Sequence, residues 1–159
     1  MSDKAVRALL AKLLSWEDSH VGLDAAVAGI PEPMRGKRVS GAHSPWELLE
    51  HIRITQSDLL EFCRNPEYEE KLAWPQDYWP PTPAPPTADA WEKTISDYRR
   101  DREALARFTK ETKVDLTEKI PRGTGQTYLR TILVAVDHAS YHIGQIVSVR
   151  RLLGAWPAG

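Results

Sequence analysis

The 159-residue sequence contains a single cysteine, Cys63, so no internal disulfide can form and stability has to come from packing. One thiol fits a reducing compartment, and a cytoplasmic location is the expectation. A surplus of charge is missing as well, because 21 Lys and Arg stand against 22 Asp and Glu, a formal net charge of −1. Without a basic excess the chain has nothing to draw it to phosphate backbones, which argues against nucleic acid as a partner. Apolar runs fall far short of the roughly 20 residues that cross a bilayer. The one nearest the N-terminus is broken by Lys12 and followed by Glu17 and Asp18. Neither a membrane anchor nor a signal peptide is expected. There is also no glycine-rich phosphate loop, no nucleophile elbow and no internal repeat. With 42% hydrophobic residues the chain can fill one core, so residues 1–159 are expected to form a single domain.

Helical periodicity dominates what remains, and no segment of comparable length alternates with the period of a half-buried strand. Four segments predict helices. Over residues 4–28, Leu9, Leu13, Trp16, His20, Leu23 and Val27 recur at steps of three and four, which predicts one inward stripe that includes His20. The second helix starts at Ser44, where Ser44-Pro45-Trp46-Glu47 reads as a capping box with proline at the first helical position, and Asn65-Pro66 ends it. A third helix after Thr87 carries Trp91, Ile95, Tyr98, Leu105 and Phe108, with a charged run at 99–103 read as a solvated face. The fourth spans about 127–153 and is closed by Gly154. Four amphipathic helices predict an all-α, antiparallel four-helix bundle. Between the second and third lies a long, proline-rich connection holding Trp74, Tyr78 and Trp79, aromatics placed to form a lid or pocket wall.

The histidines carry the chemistry. His138 and His142 are four residues apart on the last helix, stacked on a face that continues through Thr131, Ala135, Gln145 and Val149. An inward imidazole left without partners costs on the order of 1–3 kcal/mol, and one metal ion would satisfy two rings at once. His51, on the second helix, also points inward by its spacing to Leu48, Thr55 and Leu59. Three imidazoles from two helices would leave coordination positions open, the arrangement of a catalytic rather than a structural ion. His20 and Glu47 are the candidates for a fourth ligand. His43, in the loop before the capping box, reads as a polar side chain turned to solvent, and Cys63 as a small buried hydrophobe. Tyr141, Gln145, Glu47 and Asp137 are the nearby polar groups able to orient an imidazole or handle a proton. Zincin chemistry is disfavoured because Ala139 stands where a glutamate would be required. A di-iron bundle site would need Glu three residues before each histidine, and neither has one.

Two segments carry a family likeness: Ser44-Pro45-Trp46-Glu47-Leu48-Leu49-Glu50-His51-Ile52 with Gln56, and Asp137-His138-Ala139-Ser140-Tyr141-His142-Ile143-Gly144-Gln145-Ile146 with Arg150 to Gly154. They resemble the two signatures of the DinB/YfiT-like superfamily. The resemblance implies a four-helix bundle, a homodimer, and one divalent metal held by His51, His138 and His142. It also implies a range of activities, including thiol-dependent S-transfer with bacillithiol, mycothiol or glutathione, maleylpyruvate isomerisation and metal-dependent hydrolysis, and kinship of fold does not choose among them. The expected metal is Zn²⁺ or Ni²⁺, with Fe or Mn as further options, since three imidazoles suit several ions. The expected partners are a small electrophilic substrate and a low-molecular-weight thiol or water. The competing readings are a metal- or ligand-binding bundle without turnover, and a structural bundle with an empty histidine cluster.

Overall fold

A computed structural model describes residues 3–157. Among these residues the regular structure is helical, with one isolated bridge between Lys119 and Thr127 and no strand. The all-α expectation holds. Six α-helices follow in order: α1 Asp3–Leu13, α2 Leu23–Val27, α3 Glu32–Arg35, α4 Pro45–Arg64, α5 Ala90–Lys110 and α6 Tyr128–Leu152. None is long and apolar enough to cross a membrane.

The start of α4 forms as its residues dictate. Ser44 Oγ accepts from the Glu47 amide, and the Glu47 carboxylate accepts from the Ser44 amide at 2.8 Å, so two otherwise orphaned donors are satisfied reciprocally. At the other end of the bundle Thr127 caps α6 by accepting from the Arg130 amide, and Gly154 stops it in the left-handed conformation, φ 69°.

The first helix departs from the sequence expectation. It ends at Leu13, and the chain does not resume a helix until Leu23. The buried stripe is Arg7, Leu10, Ala11 and Leu14 rather than the one running through Leu9, which is 44% exposed. Both stripes have helical spacing, so periodicity alone could not separate them. The break is local: the Glu17 carboxylate folds back into the space that a β-carbon on Gly22 would need. His20 lies in this break, exposed, with its Nδ1 3.0 Å from its neighbour's carbonyl at Val21.

Two apolar clusters fix how the long helices run. Trp46, Leu49 and Ile52 of α4 share one with Trp91 and Ile95 of α5 and with Ile146 and Val149 of α6. Leu60 and Cys63 share the other with Leu105, Ile132, Leu10 and Leu14. The N-terminal halves of α4 and α5 thus lie together, as do their C-terminal halves, and Thr94 donates to Glu50 between them at 2.8 Å. These two helices are parallel. α6 runs against both, and α1 runs against α5, beginning where Arg7 donates to the carbonyls of Thr109 and Glu111 at the end of α5. The strict alternation expected for an antiparallel bundle is therefore broken at its middle pair. The reason is the long connection, 65–89: to start α5 beside the start of α4, the chain must return the length of a 20-residue helix, about 30 Å.

This crossover is pinned along its path. Arg122 donates to the Pro66 carbonyl, a 3₁₀ turn forms at Gln76–Tyr78, Ser44 Oγ donates to the Pro83 carbonyl at 2.5 Å, and Gly36 lets Ala84 approach closer than any β-carbon would allow. The charged run at 99–103 is not wholly solvated either, since Asp101 is buried.

Candidate metal centre

His51 sits in the second turn of α4, on the side facing α6, where the antiparallel crossing brings it opposite His138 and His142. His51 and His142 are buried and His138 is half-buried. The Nε2 atoms of His51 and His138 are 2.9 Å apart, and the ring centroids of the three lie 4.5 to 4.7 Å from one another. One ligand atom from each ring falls within 4.8 Å of the other two. This group could hold a metal ion.

The outer partners set which nitrogen is free. His51 Nδ1 donates to the Tyr78 carbonyl at 2.7 Å, and His142 Nδ1 donates to Gln145 Oε1 at 2.6 Å. Since a carbonyl only accepts, these bonds place the protons on Nδ1 and leave each Nε2 with its lone pair. Between His51 and His138 the proton then belongs to His138 Nε2. Replacing it with an ion at about 2.0–2.1 Å from each nitrogen, in tetrahedral geometry, needs the pair about 3.3 Å apart, a separation of a few tenths of an ångström more. The donor set fits a borderline divalent metal.

The electrostatics favour neutral rings. Burial pushes His51 down to about 4, against the pull of the Tyr78 carbonyl. Burial and the neighbouring rings of His142 and His51 push His138 to about 3, and burial also lowers His142. These native values lie below the unfolded one near 6.5, so the rings' contribution to the stability of the metal-free protein is complete above that pH. The protein loses stability as the pH falls from there toward 4 and 3, because the unfolded chain takes up protons that the native rings refuse. For His51, 2% exposed, the slope is about 1.4 kcal/mol per pH unit. Chelator-treated protein should therefore unfold at lower urea at about pH 5.5 than at about pH 7.5, before carboxylates begin to titrate. An equal or higher midpoint at the lower pH would contradict this.

Trp79 closes one side of the cluster. Its ring stacks on His51 with centroids 3.8 Å apart and planes 3° from parallel, and it meets His142 edge-on at 5.9 Å. His43 also stacks on it, at 4.0 Å, and is thus part of the surroundings of the site rather than a side chain standing alone in solvent. Nothing local in the sequence marks either contact. Of the aromatics in the crossover, Tyr78 is buried beside His51, whereas Trp74 is 69% exposed and packs on Tyr78.

A match to the family model of the DinB superfamily covers residues 15–146. The chain belongs to the DinB superfamily. No curated protein and no solved structure matches it. Within this DinB domain the two fourth-ligand candidates stand apart from the histidines. His20 is exposed in the break after α1. The Glu47 carboxylate is taken by the Ser44 amide and by Arg38, with His43 Nδ1 at 3.5 Å. Although burial opposes it, Arg38 and the Ser44 amide hold that carboxyl down at about 2. Among the described residues the metal-donor group is three imidazoles without a carboxylate. Tyr141, 64% exposed, stands at the rim with its ring 4.9 Å from that of His142. Asp137 is exposed beside it on α6. Cys63 lies in the second apolar cluster, where burial pushes its thiol up to about 12, far from a nucleophile's range.

Proposed function

We infer that the DinB domain is a metal-dependent enzyme in which His51, His138 and His142 hold one divalent ion, Zn²⁺ or Ni²⁺ first and Fe or Mn next. The observation that carries the reading is the meeting of three neutral imidazoles, two buried and one half-buried, with the outer nitrogens of His51 and His142 already engaged. Three protein ligands leave positions for a small molecule. The ion would supply Lewis acidity, bringing a bound thiol or water into its ionised, nucleophilic range near neutral pH. The residues around it suit that division of labour. Gln145 orients His142, Tyr78 orients His51, and Trp79 keeps water from one side of the cluster. No carboxylate joins the cluster to serve as a base, so the activation falls to the ion, while exposed Tyr141 stands where it can touch an incoming substrate.

The substrate class is a small electrophile attacked by a low-molecular-weight thiol, with water as the other nucleophile, giving S-transfer or hydrolysis. A cytoplasmic, homodimeric protein is part of the same proposal. The test is turnover by metal-loaded and chelator-treated protein with a panel of electrophiles, each offered with glutathione, bacillithiol, mycothiol or no thiol. Metal-dependent consumption of a thiol supports transfer, and metal-dependent loss of the electrophile without thiol supports hydrolysis. Stoichiometric metal with no turnover in any arm would replace the enzyme with a bundle that binds a metal or ligand.

A further inference from the structure

The crossover between α4 and α5 meets His51 on both an edge and a face. Its Tyr78 carbonyl accepts from Nδ1, and its Trp79 ring covers the imidazole plane. A carbonyl in an irregular segment can fix a tautomer only if the segment itself is held. Here it is held by the side chain of the same residue: Tyr78 OH donates to Asp58 Oδ2 at 2.7 Å. The second oxygen of that carboxylate accepts from Tyr68 OH at 2.9 Å. Asp58 lies on α4 two turns beyond His51, so the backbone and the phenol of Tyr78 are tied to the same rigid helix. Bonds to a charged carboxylate are about twice as strong as neutral ones. From the other side His43 stacks on Trp79 and rests near Glu47, which is itself fixed by Arg38 and the helix cap.

We propose that Asp58, Tyr78 and Trp79 form a positioning strap for the metal centre. Asp58 anchors the strap, the Tyr78 carbonyl fixes the proton of His51 on Nδ1, and Trp79 fixes the ring plane, so that Nε2 faces His138 and His142. Asp58 acts through Tyr78 and touches no ligand of the ion. This assignment rests on the metal-binding reading and goes beyond it, because it makes residues 7, 27 and 28 positions from His51 part of the ion's affinity.

Tyr78→Phe removes the phenol's bond while keeping the carbonyl and ring, and Asp58→Asn weakens the anchor from its other end. Two measurements on wild type and both variants decide the matter. Titration with Co²⁺ followed by its visible absorption gives the affinity, and ¹⁵N correlation spectra of the metal-free protein give the tautomer of His51. Loss of the strap is expected to weaken Co²⁺ binding by about 10–100-fold, the usual effect of an outer-shell partner, and to change His51 from one tautomer to a mixture. Circular dichroism identifies a variant that fails to fold, and the other variant then carries the test.

Unchanged Co²⁺ affinity together with a single His51 tautomer in a folded variant would overturn the strap while leaving the metal site standing. If wild type itself takes up no Co²⁺, the metal reading fails. The tautomer spectra then decide the strap alone, mixing in the variants supporting it and a retained Nδ1 proton refuting it.

Discussion

His51→Ala protein, produced without a histidine tag, is expected to lose its stoichiometric metal while keeping its helical content. The loss should exceed the roughly 10–100-fold that removal of an outer-shell partner costs, because one of three ligands disappears and the remaining pair on α6 cannot enclose an ion. The fold should tolerate the change for a specific reason. The buried His51 ring makes two hydrogen bonds, to the Tyr78 carbonyl and to His138. Truncating it opens a space next to Trp79 but leaves α4 and its cap intact. Inductively coupled plasma analysis of wild type and variant, with circular dichroism as the fold check, settles the point. Metal retained at full stoichiometry by the folded variant would remove His51 from the ligand set and with it the proposed enzyme.

The second large effect concerns stability. Arg150→Met should destabilise the protein by about 3 kcal/mol while leaving metal affinity nearly unchanged. Arg150 is 1% exposed, and its guanidinium donates to the carbonyls of Ala25, Ala26, Ala28 and Ala155 at 2.7 to 3.2 Å while lying 4.9 Å over the Trp156 ring. The carbonyls belong to α2, to its end and to the segment after α6, so one side chain ties three pieces of chain together. Methionine fills a similar volume and donates nothing. The Ala26 carbonyl is buried and costs about 1–3 kcal/mol when left without a partner, the three part-buried carbonyls add less because water can reach them, and relief of the buried cation offsets part of the sum. Burial does disfavour that cation, whose pKa is lowered. Lysine at the same position should recover only part of the loss, because one ammonium cannot reach the carbonyls that a planar fork spans. Urea denaturation of the three proteins gives the order Arg, Lys, Met. Equal midpoints for Arg and Met would show that these hydrogen bonds contribute no net stability. Arg150 lies two turns past His142 and shares no partner with it, so the two effects should be additive.

What could be read from the residues alone follows a clear line. Start and stop of α4, the cap of α6, the inward stacking of His138 and His142, and the apolar burial of Cys63 all depend on neighbours within a turn or two of helix. The same local rule failed at the N-terminus, where two stripes of equal spacing competed and the chain's break at Glu17 to Gly22 took His20 out to solvent. Glu47 shows the rule at its limit. Its place in the capping box was legible, but its ion pair with Arg38, which withdraws the carboxylate from the histidines, depends on how the preceding loop folds back.

Local spacing was enough to place α4, α5 and α6 and their inward imidazoles, because hydrogen bonds and side-chain faces repeat every three or four residues. Packing of the whole chain settled that α4 and α5 run parallel, that His51 meets a pair 87 and 91 positions away, and that Trp79 and His43 stack beside them. Those contacts arise from the direction in which the long crossover returns the chain. That direction is chosen by the summed burial of two apolar clusters and leaves no mark on the spacing of any single segment.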